Sequence, residues 1–215
     1  MQFSVLSCIV VIILPISPSI IYIIPITMTS LTTGPLSDLA ASSSAASWCA
    51  STSYSDYDVF INHRGPDVKN KFASHLYRRL RDHGLRVFLD KPKLEEGQSI
   101  FSQIDHAIRV ASVHIAIFSK NYAQSSWCLD ELVLMKESGA TILPVFLNVK
   151  PCVVRHTGED GEFAEALQKH QEKTTFDPRT GETKRRYDSD TIQKWRNALS
   201  DVADISGFDL KAFNG

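Results

Sequence analysis

The chain has 215 residues, a hydrophobic fraction of 43%, and 23 Lys+Arg against 24 Asp+Glu. That size and apolar content suffice for one well-packed core, and the formal net charge of -1 gives no global positive field to draw in nucleic acid or an acidic membrane surface. The four cysteines, Cys8, Cys49, Cys128 and Cys152, have no CxxC spacing, which argues against a structural zinc site or a disulfide scaffold and leaves reduced, cytosolic-type thiols as the expectation.

Residues 1–53 read as an apolar leader followed by a Ser/Ala-rich linker, with no charged residue before Asp38. A signal peptide carries a basic n-region, which is missing here, and Pro15, Pro18 and Pro25 interrupt the apolar run. Val10 to Ile26 is short for a membrane span. Three readings stand: an uncleaved membrane anchor, a cleaved or organelle-targeting leader, and an extension with no membrane role, Met28 serving as an internal start. In each of them ASSSAASW is flexible linker.

From Tyr57 the pattern becomes regular. YDVFIN predicts a strand, and a helix is expected over Asp67 to Asp82, where Phe72, Leu76 and Leu80 recur every four residues. Gly84 ends it, and LRVFLD predicts a second strand. Ile100, Ile104 and Ile108 mark a helix, VHIAIFS a strand, Trp127 to Glu137 a helix, and TILPVFLNV a strand with its proline near the start. Further helices are expected from Glu162 to about Lys173 and around Ile192, Trp195, Leu199 and Val202.

Strand and helix alternate, and VHIAIF and TILPVF have the apolar content of parallel strands covered on both faces. The expectation is an open, doubly wound α/β sheet of about 150 residues, whose ligands bind outside the carboxyl ends of the strands. The loops HRGPD, DKPKLEEGQ, SKNYAQSSW and NVKPCVVRHTGED emerge on that rim.

Several chemistries are excluded there. Gly65 has no GxGxxG or Walker A companion, so neither a Rossmann fingerprint nor a P-loop is present. Ser119, Ser125 and Ser126 have no identifiable base, and His75, His83, His106 and His114 share no metal spacing and read as surface or packing residues.

The stretch SSWCLDEL at 125–132 is more informative. Trp127 and Glu131 are four residues apart and share one helix face. Glu131 is expected in the first helical turn after Ser126, where free backbone N–H groups stabilise its anion. It is either a solvated glutamate or a poised anion. An aromatic wall beside a carboxylate can hold a flat cationic or heterocyclic group. Asp130 is expected to point elsewhere, as a charge at the start of the helix. Arg64 can bind two phosphate or ribose oxygens at once, or tie loops together through carboxylates and carbonyls.

The ordered set YDVFINHRGPDVKNKFASHL, LRVFLDKPKLEEGQSIFSQIDHAIRVAS, VHIAIFSKNYAQSSWCLDELVLM and ILPVFLNVKPCVVRHTG resembles the plant Toll/interleukin-1 receptor (TIR) domain family over about Tyr54 to Leu210, leaving 211–215 as a tail. Nothing like the nucleotide-binding or leucine-rich-repeat regions of larger plant immune receptors follows, so the chain looks like a TIR-only protein. The resemblance implies a flavodoxin-like, open parallel five-stranded sheet with helices on both faces. It also implies self-association, contact with other TIR proteins, a cytoplasmic domain and, in many plant members, cleavage of NAD as a substrate with no cofactor or metal.

On that resemblance Glu131 is the catalytic glutamate, and Arg64, Gly65 and Trp127 bind substrate. The rearranging loop falls on Asp90 to Gly97, including Lys91, Lys93 and Gly97, and the association surface of the first helix on Ser74 and His75. The pattern Ser-Phe-Arg-Gly-Glu-Asp is replaced by Asn62-His63-Arg64-Gly65-Pro66-Asp67, while Asn148 and Lys150 stand where acidic residues are common.

The implied activity is that of an NAD nucleosidase of defence signalling, giving nicotinamide with ADP-ribose, cyclic ADP-ribose variants or both. Nicotinamide leaves a cationic pyridinium as a neutral molecule and needs no proton, so one carboxylate beside the oxocarbenium-like ribose suffices. The alternative is a non-enzymatic TIR adaptor acting through TIR–TIR association.

Overall fold

The computed structural model describes residues 9–12, 22–25, 57–68, 72–89, 100–158, 161–179 and 181–210, and the chain divides into two units, Met1–Tyr54 and Ser55–Gly215. In the first unit β1 (Ile9–Ile12) pairs antiparallel with β2 (Tyr22–Pro25), placing Ile9 opposite Pro25 and Ile12 opposite Tyr22. Pro25 lies at the end of its strand, where its missing N–H interrupts the ladder least. No helix among the described residues is long and apolar enough to cross a membrane.

In the second unit YDVFIN forms β3 (Val59–His63), buried at all five positions. The short helix α1 (Gly65–Val68) follows, then α2 (Ser74–Asp82), β4 (Val87–Leu89), α3 (Ile100–Val110) and β5 (Val113–Phe118). A 3-10 turn over Tyr122–Gln124 leads into α4 (Ser126–Ser138) and β6 (Thr141–Leu147). Next come α5 (Pro151–Arg155), α6 (Glu162–Glu172), the ribbon β7 (Thr174–Asp177) and β8 (Glu182–Arg185), α7 (Ser189–Ala203) and β9 (Phe208–Leu210).

The sheet order is β4-β3-β5-β6-β9 with every pair parallel. This is the flavodoxin-like arrangement. The chain leaves β3 for β4 on one side and reaches β5 on the other, opening a crevice at the carboxyl ends of β3 and β5.

Alternation along the strands divides the core. Phe60, Ala116, Phe118 and Phe146 join one cluster with Ile104 and Ile108 of α3, Leu129 and Leu132 of α4, and Trp195 and Leu199 of α7. Ile61, Ile115, Ile117 and Val145 take the intervening positions and are also buried, as are Leu76 and Leu80 of α2. Both faces of the sheet are therefore covered, which is why β5 reads as one apolar run.

The structure corrects the element reading in several places. The helix expected over Asp67 to Asp82 is met at its described ends by α1 and α2, with 69–71 outside the described residues. The short α5, the exposed ribbon β7/β8 and the three-residue β9 carry no apolar period long enough to announce them. β9 is seated by Gly207, where an added Cβ would lie 2.4 Å from the carbonyl oxygen of Pro144.

Candidate functional site

The crevice at the end of β3 is a cleft of about 520 Å³ lined by residues including His63, Arg64, Gly65, Trp127, Cys128 and Glu131. It joins the carboxyl end of one central strand to the start of α4, as the sheet order requires. A larger cleft of about 870 Å³ lies among α6, β8 and α7. There Glu165 and Glu172 stand among Arg185, Arg196 and side-chain amides, so no single charge sign converges on it.

Ser125 starts α4. Its backbone is extended, at φ -97 and ψ 109, and its Oγ accepts the N–H of Cys128 at 3.3 Å. Trp127 and Glu131 then fall on one face and line the same cleft, as their spacing predicts. Glu131 is not in the first turn, which holds no acidic residue: at 3.6 residues per turn, five residues beyond Ser126 is the second turn. Backbone N–H groups at the helix start are therefore not its support. A side chain from the neighbouring strand takes that part, Asn62 Nδ2 donating to Glu131 Oε2 at 2.7 Å.

Asn62 is wholly buried, and its amide also donates to the carbonyl of Cys128 at 3.3 Å. The Tyr122 hydroxyl donates to Asn62 Oδ1 and lies 3.1 Å from the same carbonyl. Burial, reinforced by Cys128 and Glu131, raises the Tyr122 phenol well above its ordinary value, which keeps it a donor. Sequence reasoning gave Asn62 no role. The only signal was its place near the carboxyl end of a buried strand, where a polar side chain needs partners.

Arg64 does tie loops together. Its Nη1 donates to Asp67 Oδ1 at 2.6 Å, while Asp67 Oδ2 accepts Ser119 Oγ at 2.6 Å and the N–H of Asn121 at 3.3 Å. Burial opposes ionisation of Asp67, but Ser119, Arg64 and Asn121 together hold its carboxyl below the ordinary value. The guanidinium lines the cleft as well, and its five N–H donors are not exhausted by one carboxylate. The bond to Asp67 matches the loop-tying reading of Arg64, and its place in the cleft leaves the binding of phosphate or ribose oxygens as a proposal.

Trp127 is 56% exposed at the mouth of the cleft, its ring edge-on to that of Phe101, also exposed, with centroids 6.4 Å apart. The two rings form an apolar rim beside the Glu131 carboxylate. Phe101 was not singled out in the sequence, since alone it reads as one more apolar residue of α3.

Asp130 points away from the cleft, as expected, but it is not simply a charge at the start of the helix. It accepts the indole N–H of Trp195 at 2.9 Å. Burial raises its carboxyl, with the Trp195 bond and the neighbouring His170 imidazole pulling the other way. Ser74 and His75 open α2 and do not line the cleft; His75 is exposed. Lys91, Lys93 and Gly97 lie outside the described residues. Among the described residues no group of three or more His, Cys, Asp or Glu side chains could hold a metal.

The family model for the TIR domain matches residues 56–215. The chain is 38% identical over 173 residues to TMV resistance protein N of Nicotiana glutinosa, covering 79% of this chain and 13% of that protein. It is 39% identical over 158 residues to disease resistance protein RPP5 of Arabidopsis thaliana, covering 72% and 10%. Disease resistance protein RPV1 of Vitis rotundifolia is 36% identical over 158 residues, again with 72% and 10% covered. The chain thus spans 13% or less of the length of these relatives. Among solved structures, the TIR domains of the activated Roq1 resistosome match with a TM-score of 0.60 and 37% identity, over 72% of this chain and 87% of that one. A family model covering residues 56–215, on a parallel sheet ordered β4-β3-β5-β6-β9, makes the chain a member of the TIR domain family, related to the TIR regions of plant disease-resistance proteins.

Proposed function

We propose that the chain cleaves the nicotinamide–ribose bond of NAD, releasing nicotinamide and leaving ADP-ribose, cyclic ADP-ribose variants, or both. The observation that carries this reading is the Glu131 carboxylate, held by Asn62 at 2.7 Å in the wall of a cleft that also contains Arg64 and the Trp127 ring. A flat pyridinium fits against an aromatic face, and a guanidinium suits phosphate oxygens. As the glycosidic bond breaks, positive charge grows on the ribose, and a fixed anion stabilises it more in the transition state than in the ground state. NAD is the substrate, and the residues named need no other cofactor.

Water attack on the ribose carbon gives ADP-ribose; attack by a nucleophile of the same molecule gives a cyclic product. The partition depends on how fully the cleft folds the nucleotide and excludes water. The test is incubation of the full chain with NAD at increasing protein concentration, resolving nicotinamide, ADP-ribose and cyclic products. Nicotinamide release that Glu131→Gln lowers about a hundredfold or more is the expected result; none at any concentration refutes the reading.

The second reading, an adaptor acting through TIR–TIR association, is favoured by one observation: the Roq1 neighbour is the TIR part of a resistosome. Self-association and catalysis are compatible if subunits meet at the rim of the cleft. In the adaptor case association persists while NAD stays intact.

A further inference from the structure

We infer that Asn62 is a positioning residue, which fixes the Glu131 carboxylate for the reaction and is itself fixed by Tyr122. This rests on the proposed cleavage of NAD at Glu131. Both Asn62 and Tyr122 are 0% exposed, so neither can exchange its hydrogen bonds freely with bulk water.

The amide orientation follows from its partners. An ionised carboxylate and a backbone carbonyl can only accept, so the end of Asn62 that faces Glu131 Oε2 at 2.7 Å and the Cys128 carbonyl at 3.3 Å must be Nδ2. Oδ1 is then left for the Tyr122 hydroxyl, the donor that meets it. A flipped amide would set its oxygen against both acceptors. The Glu131 carboxylate and the Cys128 carbonyl therefore select the orientation that aims a donor at the glutamate, and the Tyr122 hydroxyl braces it at Oδ1.

The consequence is kinetic. The glutamate carboxylate stands on a flexible arm with several staggered rotamers, and a reacting charge displaced by about 1 Å can lose about a hundredfold in rate. Asn62, on the buried strand β3, is tied to α4 twice, through the Glu131 side chain and the Cys128 carbonyl. Serine, which the related sequence pattern carries here, has a shorter side chain with one rotating O–H and cannot hold both acceptors at once.

The experiment uses the full chain and the variants Asn62→Leu, Tyr122→Phe and their combination, with initial rates of nicotinamide release over a range of NAD. For Asn62→Leu we expect kcat to fall about tenfold or more with KM within about twofold, since a hydrogen bond to a charged group is lost while the binding contacts remain. Tyr122→Phe should lower kcat about threefold, and the double variant should be no slower than Asn62→Leu, because the hydroxyl reaches the Glu131 carboxylate through the amide, its other contact being to the Cys128 backbone carbonyl. A purely structural role would give additive losses and a change in KM as well.

A second arm is independent of turnover. The side-chain amide resonance of Asn62 should move when Glu131 is changed to Gln, measured by nitrogen-15 NMR without substrate. An unmoved resonance overturns the pairing whatever the activity. A moved resonance with wild-type kcat in Asn62→Leu overturns the positioning role and leaves NAD cleavage standing. A wild-type chain that releases no nicotinamide overturns NAD cleavage and the kinetic role of Asn62 together, while the resonance still reports the geometry. Should Asn62→Leu fail to fold, Tyr122→Phe, which removes a single oxygen, decides the kinetic question.

Discussion

Asp130 and Trp195 join α4 to α7 through one hydrogen bond, the indole N–H donating to Asp130 Oδ1 at 2.9 Å, one residue before the glutamate in the cleft. Trp195 is 1% exposed, so without that carboxylate its N–H is buried with no acceptor. Asp130→Ala should therefore cost about 1–3 kcal/mol of stability, while Asp130→Asn, which keeps a carbonyl oxygen, costs much less. Denaturant unfolding of the two variants measures the difference. Neither should change nicotinamide release by the folded protein beyond about twofold, since the side chain faces away from the cleft.

Glu131→Gln keeps the size of the side chain and an oxygen for Asn62, and removes only the charge. Turnover at saturating NAD should fall about a hundredfold to a thousandfold, the cost of roughly 3–4 kcal/mol of preorganised electrostatic stabilisation. NAD binding, measured separately by titration, should change little. Trp127→Ala should do the reverse in part, weakening binding and altering the product ratio by opening the mouth of the cleft. Wild-type turnover in Glu131→Gln would return this residue to an ordinary helix-surface glutamate.

The histidines set a pH dependence of stability. Burial holds His114 and His170 below the ordinary value of 6.5, with the carbonyls of Ile108 and Ala123 pulling the other way. Around His170, Lys173 adds to the lowering and Asp130 opposes it. Each is neutral in the fold where the unfolded chain takes up a proton, so its stabilisation is complete above about pH 6.5 and declines as the pH drops below that. The melting temperature should fall between pH 7 and pH 5, and His170→Gln should flatten the slope. Asp67, whose carboxyl is held below 3.8, adds its own loss only at still lower pH.

Assembly through the start of α2 is testable at Ser74 and His75. Ser74→Arg or His75→Glu should lower specific activity and weaken its rise with protein concentration, without altering the melt. Specific activity independent of concentration in a sample shown to be monomeric would remove assembly from the mechanism.

Much of the sheet was legible in the sequence because parallel strands buried on both faces need continuous apolar runs, and VHIAIF at β5 is one. Trp127 and Glu131 were legible for a similar reason, since one helix face follows from spacing alone. β9 was not, because Phe208–Leu210 is too short to show a period and Asp209 breaks the continuous apolar run of the inner strands. Asn62 escaped for a different cause: its value comes from Glu131 and Tyr122, which lie far along the chain and meet it only after the sheet has formed. Pairing between distant polar residues leaves no local pattern.

Gly207→Ala should be among the most damaging single-methyl changes in the domain. Its Cβ would come 2.4 Å from the Pro144 oxygen and 2.7 Å from the proline ring, so β9 would have to move off β6. A loss of about 3 kcal/mol, the upper end for overpacking, is expected in denaturant unfolding.

The same contact bears on how the chain is made. β6 and β9 are neighbours in the sheet, but α5, α6, the ribbon and α7 are synthesised between them. During that interval the outer side of β6 is an open template for another nascent chain. The Pro144 oxygen faces Gly207, so the position where its N–H would stand lies on that same outer side. The proline costs the finished ladder nothing there, because pairing with β9 begins only at Val145. While β6 is still uncovered, however, the missing donor breaks the row of hydrogen-bonding groups that an intruding strand would need.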